Sequence, residues 1–297
     1  MYLAVDSHHP NNWLDGLLQT IEAATDVHWF ALVDGVFDHD RKPFASPVPK
    51  VPLYGQTSTL HELLPVSPYL LPLDRHADVV LRDMVAALGA HCQGRPMLSF
   101  LASWQPADQL VRVWQPCLQP VVEEDGSRYL LRFADTRVLP ALPGAMSPSA
   151  WAQLTAPLMH WCYVDRAGAL QTLWLAESHL EPTTYQSNQL VLLLSDIDRM
   201  VDAAMPDAIL DLMDRTSPGA LPQTGKAQIH RLVAQACALA KAHRVDATPD
   251  VMQLATYALA TDGAGLKEPD LLALLCSHER GPRALQDFVR SARSQAT

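Results

Sequence analysis

Glycine is scarce in this chain. There are thirteen in 297 residues, and none sits in a G-x-x-x-x-G-K-[ST] run or a G-x-G-x-x-G turn. That excludes a phosphate-cradling loop and a dinucleotide fingerprint, both of which need glycine where backbone must approach a phosphate. The G-x-S-x-G turn that exposes a hydrolase nucleophile is also missing. No C-x-x-C pair occurs among the five cysteines, Cys92, Cys117, Cys162, Cys237 and Cys276. An odd, scattered set reads as reduced thiols, each a small buried hydrophobe by default. Positive charge is in deficit: the formal net charge is −10. Binding to a phosphate backbone needs a basic surface, so nucleic acid is not an expected partner. The longest aliphatic run, Leu190–Leu194, is far short of the roughly 20 residues that span a bilayer. The opening MYLAVDSHHPNNW lacks a basic start followed by an apolar stretch. The expectation is a cytoplasmic protein without membrane insertion.

Hydrophobic residues make up 48% of the chain and charged residues 18%, a balance that supports a large core. Trp13, Leu14, Leu17, Leu18 and Ile21 recur at helical spacing behind Asn11 and Asn12, which suit a cap. Val27–Val33 is continuously apolar and stops at Asp34-Gly35, the pattern of a strand covered on both faces. Residues 38–58 lose periodicity around Pro43, Pro47, Pro49 and Pro52, and an extended Tyr69-Leu70-Leu71 follows among further prolines. A helix is expected from Asp74 to Gly89, a strand over Met97–Leu101 and a helix over Ala107–Leu118. Two hairpins are expected, one turning at Asp125-Gly126 and one pairing Met159–Val164 with Ala169–Leu175. Ser147-Pro148 opens a further helix between them.

From about Ser187 the strand signals stop. Asn188–Asp214 reads as one long amphipathic helix with a break near Pro206. Helices are expected at Lys226–His243, Thr248–Ala260, Glu268–Cys276 and Gly281–Ala292. The predicted fold is an α/β N-terminal lobe over residues 1–186, a mixed sheet flanked by helices, followed by an all-α C-terminal lobe over residues 187–297.

The richest chemical pattern is Ser127–Leu139, SRYLLRFADTRVL. Alternation predicts a strand with Tyr129, Leu131 and Phe133 on one face and Arg128, Leu130 and Arg132 on the other. It runs into a charged knot of Arg132, Asp135 and Arg137. Two readings stay open for that knot. It is either a salt-bridge cluster pinning the strand end to the next turn or a polar docking site for a partner's carboxylate or backbone. Asp34 likewise reads either as a strand-end turn residue or as a partner-binding ligand. In the second half, Lys226, His230, Arg231, Lys241, His243 and Arg244 follow a run of aspartates from Asp196 to Asp214. These are either two solvated helix faces that attract each other or a basic strip that steers an acidic partner, with Arg231 and Arg244 as its candidate binding residues. Trp104, Trp114, Trp151 and the Leu/Met ridges of the last helices are candidate apolar anchors, with core the default for any one tryptophan.

Histidines raise a metal question. Asp6, His8 and His9 cluster, as do Asp38, His39 and Asp40, and His160 and Cys162 share one strand face. None has a second half at ligand spacing, so no metal site is assigned. Ser99 and Ser103 sit near strand ends without any nucleophile motif. The expectation is therefore no catalytic residues, no cofactor and no enzyme. The alternative from a different class is a small metal-dependent or Ser/His hydrolase built on the His-rich N-terminal lobe.

Several segments taken in order carry a resemblance. They are His28-Trp29-Phe30-Ala31-Leu32-Val33-Asp34-Gly35, Tyr69-Leu70-Leu71-Pro72-Leu73, Arg132-Phe133-Ala134-Asp135-Thr136-Arg137-Val138-Leu139, the hairpin from Met159 to Trp174, and Ala240–Val251. The set resembles the type VI secretion effector chaperones, or adaptors, whose domain was first catalogued as one of unknown function. Ala134 stands where that family has an aromatic and Thr136 where it has a proline. The resemblance implies a cytoplasmic, non-catalytic adaptor that binds one secreted effector, a toxin, and promotes its loading onto a VgrG-type spike protein.

Overall fold

The computed structural model describes residues 2–24, 26–39, 41–55, 59–73, 78–175, 188–277 and 284–295. Asp40, Asp74, Ser187 and Gly281 lie outside them. The chain divides into two compact units, Ser7–Ala203 and a second that joins Met1–Asp6 to Ala204–Thr297. The strands are β1 His28–Val33, β2 Val51–Pro52, β3 Tyr69–Pro72, β4 Leu98–Ser103, β5 Val121–Val122, β6 Leu158–Val164, β7 Leu170–Thr172 and β8 Val191–Leu192. The helices are α1 Leu14–Ala23, α2 Asp78–His91, α3 Ala107–Leu118, α4 Leu142–Ala145, α5 Pro148–Thr155, α6 Leu194–Thr216, α7 Lys226–Ala242, α8 Thr248–Ala260, α9 Pro269–Cys276 and α10 Ala284–Gln295.

The first unit is α/β. Its main sheet has the order β2-β3-β1-β4-β6-β7, and every neighbouring pair in it is antiparallel. The sheet is therefore antiparallel where the sequence predicts a mixed one; the parallel pairing of β5 with β8 forms a separate two-stranded sheet. Both faces of the main sheet are buried, which is why β1 reads as an unbroken apolar run. Trp29, Ala31 and Val33 point to a core shared with Leu14, Leu17 and Ile21 of α1 and Met84, Val85 and Leu88 of α2. Phe30 and Leu32 point to the opposite core, with Leu110 and Trp114 of α3 and Trp151 and Leu154 of α5. In that second core the Trp114 ring meets Phe133 at 5.0 Å and Trp161 at 5.9 Å between centroids, while Trp151 stacks on Trp161 at 6.3 Å. Such pairs add about 0.5–1.5 kcal/mol each beyond the area they bury. Trp114 and Trp151 are therefore core residues; Trp104 and Trp174 are the tryptophans left in solvent.

Three local expectations change. Ser127–Leu139 is extended at its start but joins no ladder, apart from one bridge between Val121 and Arg128. Leu131 and Phe133 do turn inward, whereas Tyr129 is exposed. From Phe133 onward the chain winds into turns, because the Asp135 carbonyl accepts from the Val138 and Leu139 amides. Strand pairing does not end before residue 187, since Leu190 and Leu192 carbonyls accept from the Val121 and Glu123 amides and so hold β8 to β5. And α6 continues through Pro206 without a break. Proline removes one helical donor there without stopping the turns on either side.

The second unit is helical. Ile229, Leu232, Val233 and Ala236 of α7 pack with Leu254, Ala255 and Ala258 of α8 and with Leu271, Leu275, Leu285 and Val289. Tyr2 and Ala4 belong to the same core. Asp6 accepts from the Lys226 amide at 2.7 Å and the Ala227 amide at 3.2 Å. A carboxylate is thus placed on the first free amides of α7, where helix geometry leaves donors unpaired and the dipole favours negative charge. Asp6, grouped with His8 and His9 in the sequence, is a helix cap.

Candidate functional site

The candidate site lies where β1 ends. After Val33 the chain enters a 3-10 turn, Gly35–Asp38, whose first amide pairing is made by Asp34: its carboxylate accepts from the Val36 amide at 3.1 Å. Glycine is required at position 35. A Cβ there would lie 2.3 Å from the Ser67 carbonyl oxygen, well inside contact distance. This tight passage turns Asp34 back toward the protein and leaves it buried.

Two other segments converge on that turn. Arg95, Pro96 and Met97 lead into β4. The Met97 carbonyl accepts from the Asp34 amide and the Pro96 carbonyl from the Thr136 amide, each at 3.0 Å. Arg95 donates to the Phe37 carbonyl at 3.0 Å and to the Asp38 carboxylate at 2.8 Å. The third segment brings the charged knot. Arg132 donates to Asp34 at 2.7 Å and lies 3.4 Å from Asp135. Arg137 grips Asp135 with a fork of 3.0 and 2.7 Å through Nε and Nη2. The Phe37 ring faces both guanidinium groups, Arg132 at 5.8 Å and Arg137 at 5.5 Å from its centroid. That geometry adds cation–π attraction.

Three carboxylates, Asp34, Asp38 and Asp135, thus meet three guanidinium groups, Arg95, Arg132 and Arg137, around one phenyl ring. His91 adds a contact of 2.8 Å from Nε2 to Asp38. Burial pushes the Asp34 carboxyl above its usual range, and this outweighs the opposing pull of Arg132. Asp38 goes the other way. Burial alone would raise it, but the hydrogen bonds and charges of His91 and Arg95 together hold it below the usual range. The cations differ in access. The Arg132 side chain is 35% exposed, against 13% for Arg137 and 7% for Arg95. Arg132 is therefore the member that offers charge outward, while the carboxylates are turned in and engaged. Such an arrangement fixes backbone and presents a guanidinium; it holds no carboxylate open to solvent as a base.

Of the residues singled out in the sequence, Asp34, Arg132, Asp135 and Arg137 come together here. Arg231 and Arg244 lie in the helical unit, both exposed. Arg231 donates to Gln228, and Arg244 takes a left-handed conformation, φ 53°, just past α7. His230 lies 3.7 Å from Asp207, one contact between the basic and acidic runs. Sequence reasoning missed Phe37, His91 and Arg95, and it weighed Asp38 only as a metal ligand. The Gly94-Arg95-Pro96 turn before a strand was the available signal. Ser99 and Ser103 are buried; Ser99 accepts from the Trp161 indole, and Ser103 donates to the Pro157 carbonyl at 2.6 Å. His160 leans on the Trp29 ring at 5.5 Å, and Cys162 is buried in the core. Among the described residues, no three His, Cys, Asp or Glu side chains gather as a metal site.

The site thus places an ionic knot at the end of β1, in an antiparallel sheet buried on both faces. Residues 29–153 match the family model described as "Domain of unknown function (DUF4123)". The matched stretch contains β1 from Trp29 onward, the 3-10 turn, Arg95 and the whole of the Arg132–Arg137 knot. No curated protein and no solved structure matches the chain.

Proposed function

We propose that this protein is a non-catalytic cytoplasmic adaptor that binds a secreted type VI effector and promotes its loading onto a VgrG-type spike. The observation that carries the reading is the meeting of Asp34 with Arg132. These residues belong to two of the segments, His28–Gly35 and Arg132–Leu139, whose order and spacing with the others carry the resemblance to the effector chaperones. Both fall inside the matched residues 29–153. A shared ionic knot gives the two motifs one physical purpose, which is to fix three chain segments and set out Arg132 and Phe37 at a rigid surface. The mechanism is holding: a bound cargo segment is stabilised by mass action, with no bond made or broken.

Co-expression with the product of any toxin gene found beside this one, followed by size-exclusion chromatography, tests this. A stoichiometric complex that also recruits the spike protein is the expected result. Failure to capture effector or spike, or turnover of a substrate by the isolated chain, overturns it.

A further inference from the structure

The stretch from Val191 to Asp202 keeps aliphatic side chains in water. Val191, Leu193, Leu194 and Val201 are between 37% and 55% exposed. Their exposure follows a pattern. Along β8 and the residue after it the side chains alternate, so Leu192 is buried while Val191 and Leu193 face out. In α6, Leu194 and Val201 are seven residues apart and share a face, about 10 Å from end to end. The buried side of the same helix turns is occupied by Asp196, which is fully buried, and by Ile197 and Met200, which pack on the core. The outward aliphatic stripe is thus a separate surface of the α/β unit.

Its border is acidic. Asp198 and Asp202, one helical turn apart, are exposed along the stripe, and Glu123, Glu124 and Asp125 are exposed beside β8. Glu124 also accepts from the Leu194 amide at 2.8 Å, which ties this loop to the start of α6. Two basic residues belong to these segments, and one of them, Arg128, keeps an exposed charge beside β8. Arg199 serves Asp196 and the Ala145 carbonyl, and Arg128 reaches Gln189.

We infer that this stripe is the seat of a basic amphipathic helix in the cargo polypeptide, one whose aliphatic face is bordered by Lys or Arg. The inference rests on the adaptor reading and names the chemistry of what is held. Apolar contact supplies the attraction, and the acidic border selects its sign. A second copy of this chain would set like charges against each other across a two-fold contact, and an anionic membrane or nucleic acid would be repelled. A cationic helix is the occupant that satisfies both parts of the surface.

The test uses the full chain and two synthetic amphipathic helices with the same leucine stripe, one bordered by lysine and one by glutamate. Fluorescence anisotropy should show saturable binding of the lysine peptide alone, weakening as salt rises. The double variant Asp198→Lys/Asp202→Lys should weaken it by about tenfold or more. Val201→Lys should weaken it comparably, with circular dichroism and melting unchanged because these side chains are exposed. Equal binding of both peptides, or unaltered binding by the variants, overturns the inference. So does sedimentation that shows a dimer lost in Val201→Lys. Effector co-purification separates the two claims. If both variants keep the effector as the unaltered chain does, this surface is not its seat and the adaptor reading stands. If the unaltered chain captures none, the adaptor reading itself falls.

Discussion

Asp34 and Arg132 lie 98 positions apart in the chain and meet at 2.7 Å. The carboxylate is buried and the guanidinium partly solvated. Replacing Arg132 by methionine keeps the stem and removes the charge, which leaves Asp34 buried without its cation. The expected loss is about 3 kcal/mol, near the lower end for a broken buried pair because Arg132 is partly exposed. The loss should also depend on pH. Asp34 already has a folded-state pKa above 3.8, so its proton is held more tightly in the folded protein. Its ionisation therefore weakens stability as pH rises through the raised value. Without Arg132 the pKa climbs further, so the deficit should be full at neutral pH and shrink toward pH 3.8. Urea denaturation across that range measures it.

Asp38 should behave in the opposite window. Its pKa is lowered in the folded state, with His91 and Arg95 outweighing burial. The stabilisation is then present above 3.8 and lost as pH falls through the depressed folded value. Asp38→Asn should be less stable than the natural chain at neutral pH, and the two unfolding midpoints should converge only below pH 3.8.

Gly35→Ala tests the passage that aims Asp34 inward. The added methyl would meet the Ser67 carbonyl oxygen at 2.3 Å, so backbone has to move. A loss of about 1–3 kcal/mol is expected, as for overpacking elsewhere. Gly16→Ala is the control, since nothing lies within 4 Å of its new Cβ and its helix should gain slightly.

The cysteines should label in a fixed order. Cys276 is exposed, whereas Cys92, Cys117 and Cys162 are buried. Burial pushes the Cys117 and Cys162 thiols up to about 12, raises Cys92 as well, and lifts Cys237 to about 11. Iodoacetamide on the native protein, followed by peptide mass spectrometry, should modify Cys276 first and Cys237 slowly. The other three should react only after unfolding, because the thiolate is the reactive form.

What the sequence disclosed and withheld follows from what periodicity measures. An apolar run such as Val27–Val33 reports that both faces are covered, and β1 is indeed sandwiched between two cores. Alternation reports faces as well: of the three side chains it groups together, Leu131 and Phe133 are buried and Tyr129 is exposed. It says nothing of partners. Residues 127–133 therefore look like a ladder strand although only Arg128 forms a bridge. The knot was half legible: Asp34, Arg132, Asp135 and Arg137 stand out as charges at strand ends. Arg95 and Phe37 do not, because their roles arise from chain segments that meet only on folding. Asp6 was hidden for the same reason, since its partners lie 220 and 221 positions away.

That last link constrains how the molecule can be taken apart. Tyr2 and Asp6 reach Pro222 and the start of α7, so the α/β unit is topologically an insert within the helical one. A gene beginning at Ala204 would yield a polypeptide whose α7 starts with bare amides and whose core lacks the Tyr2 ring. Excising the helical part intact calls either for joining residues 2–6 to position 204 in place of the insert or for a circular permutant that carries them after the last helix.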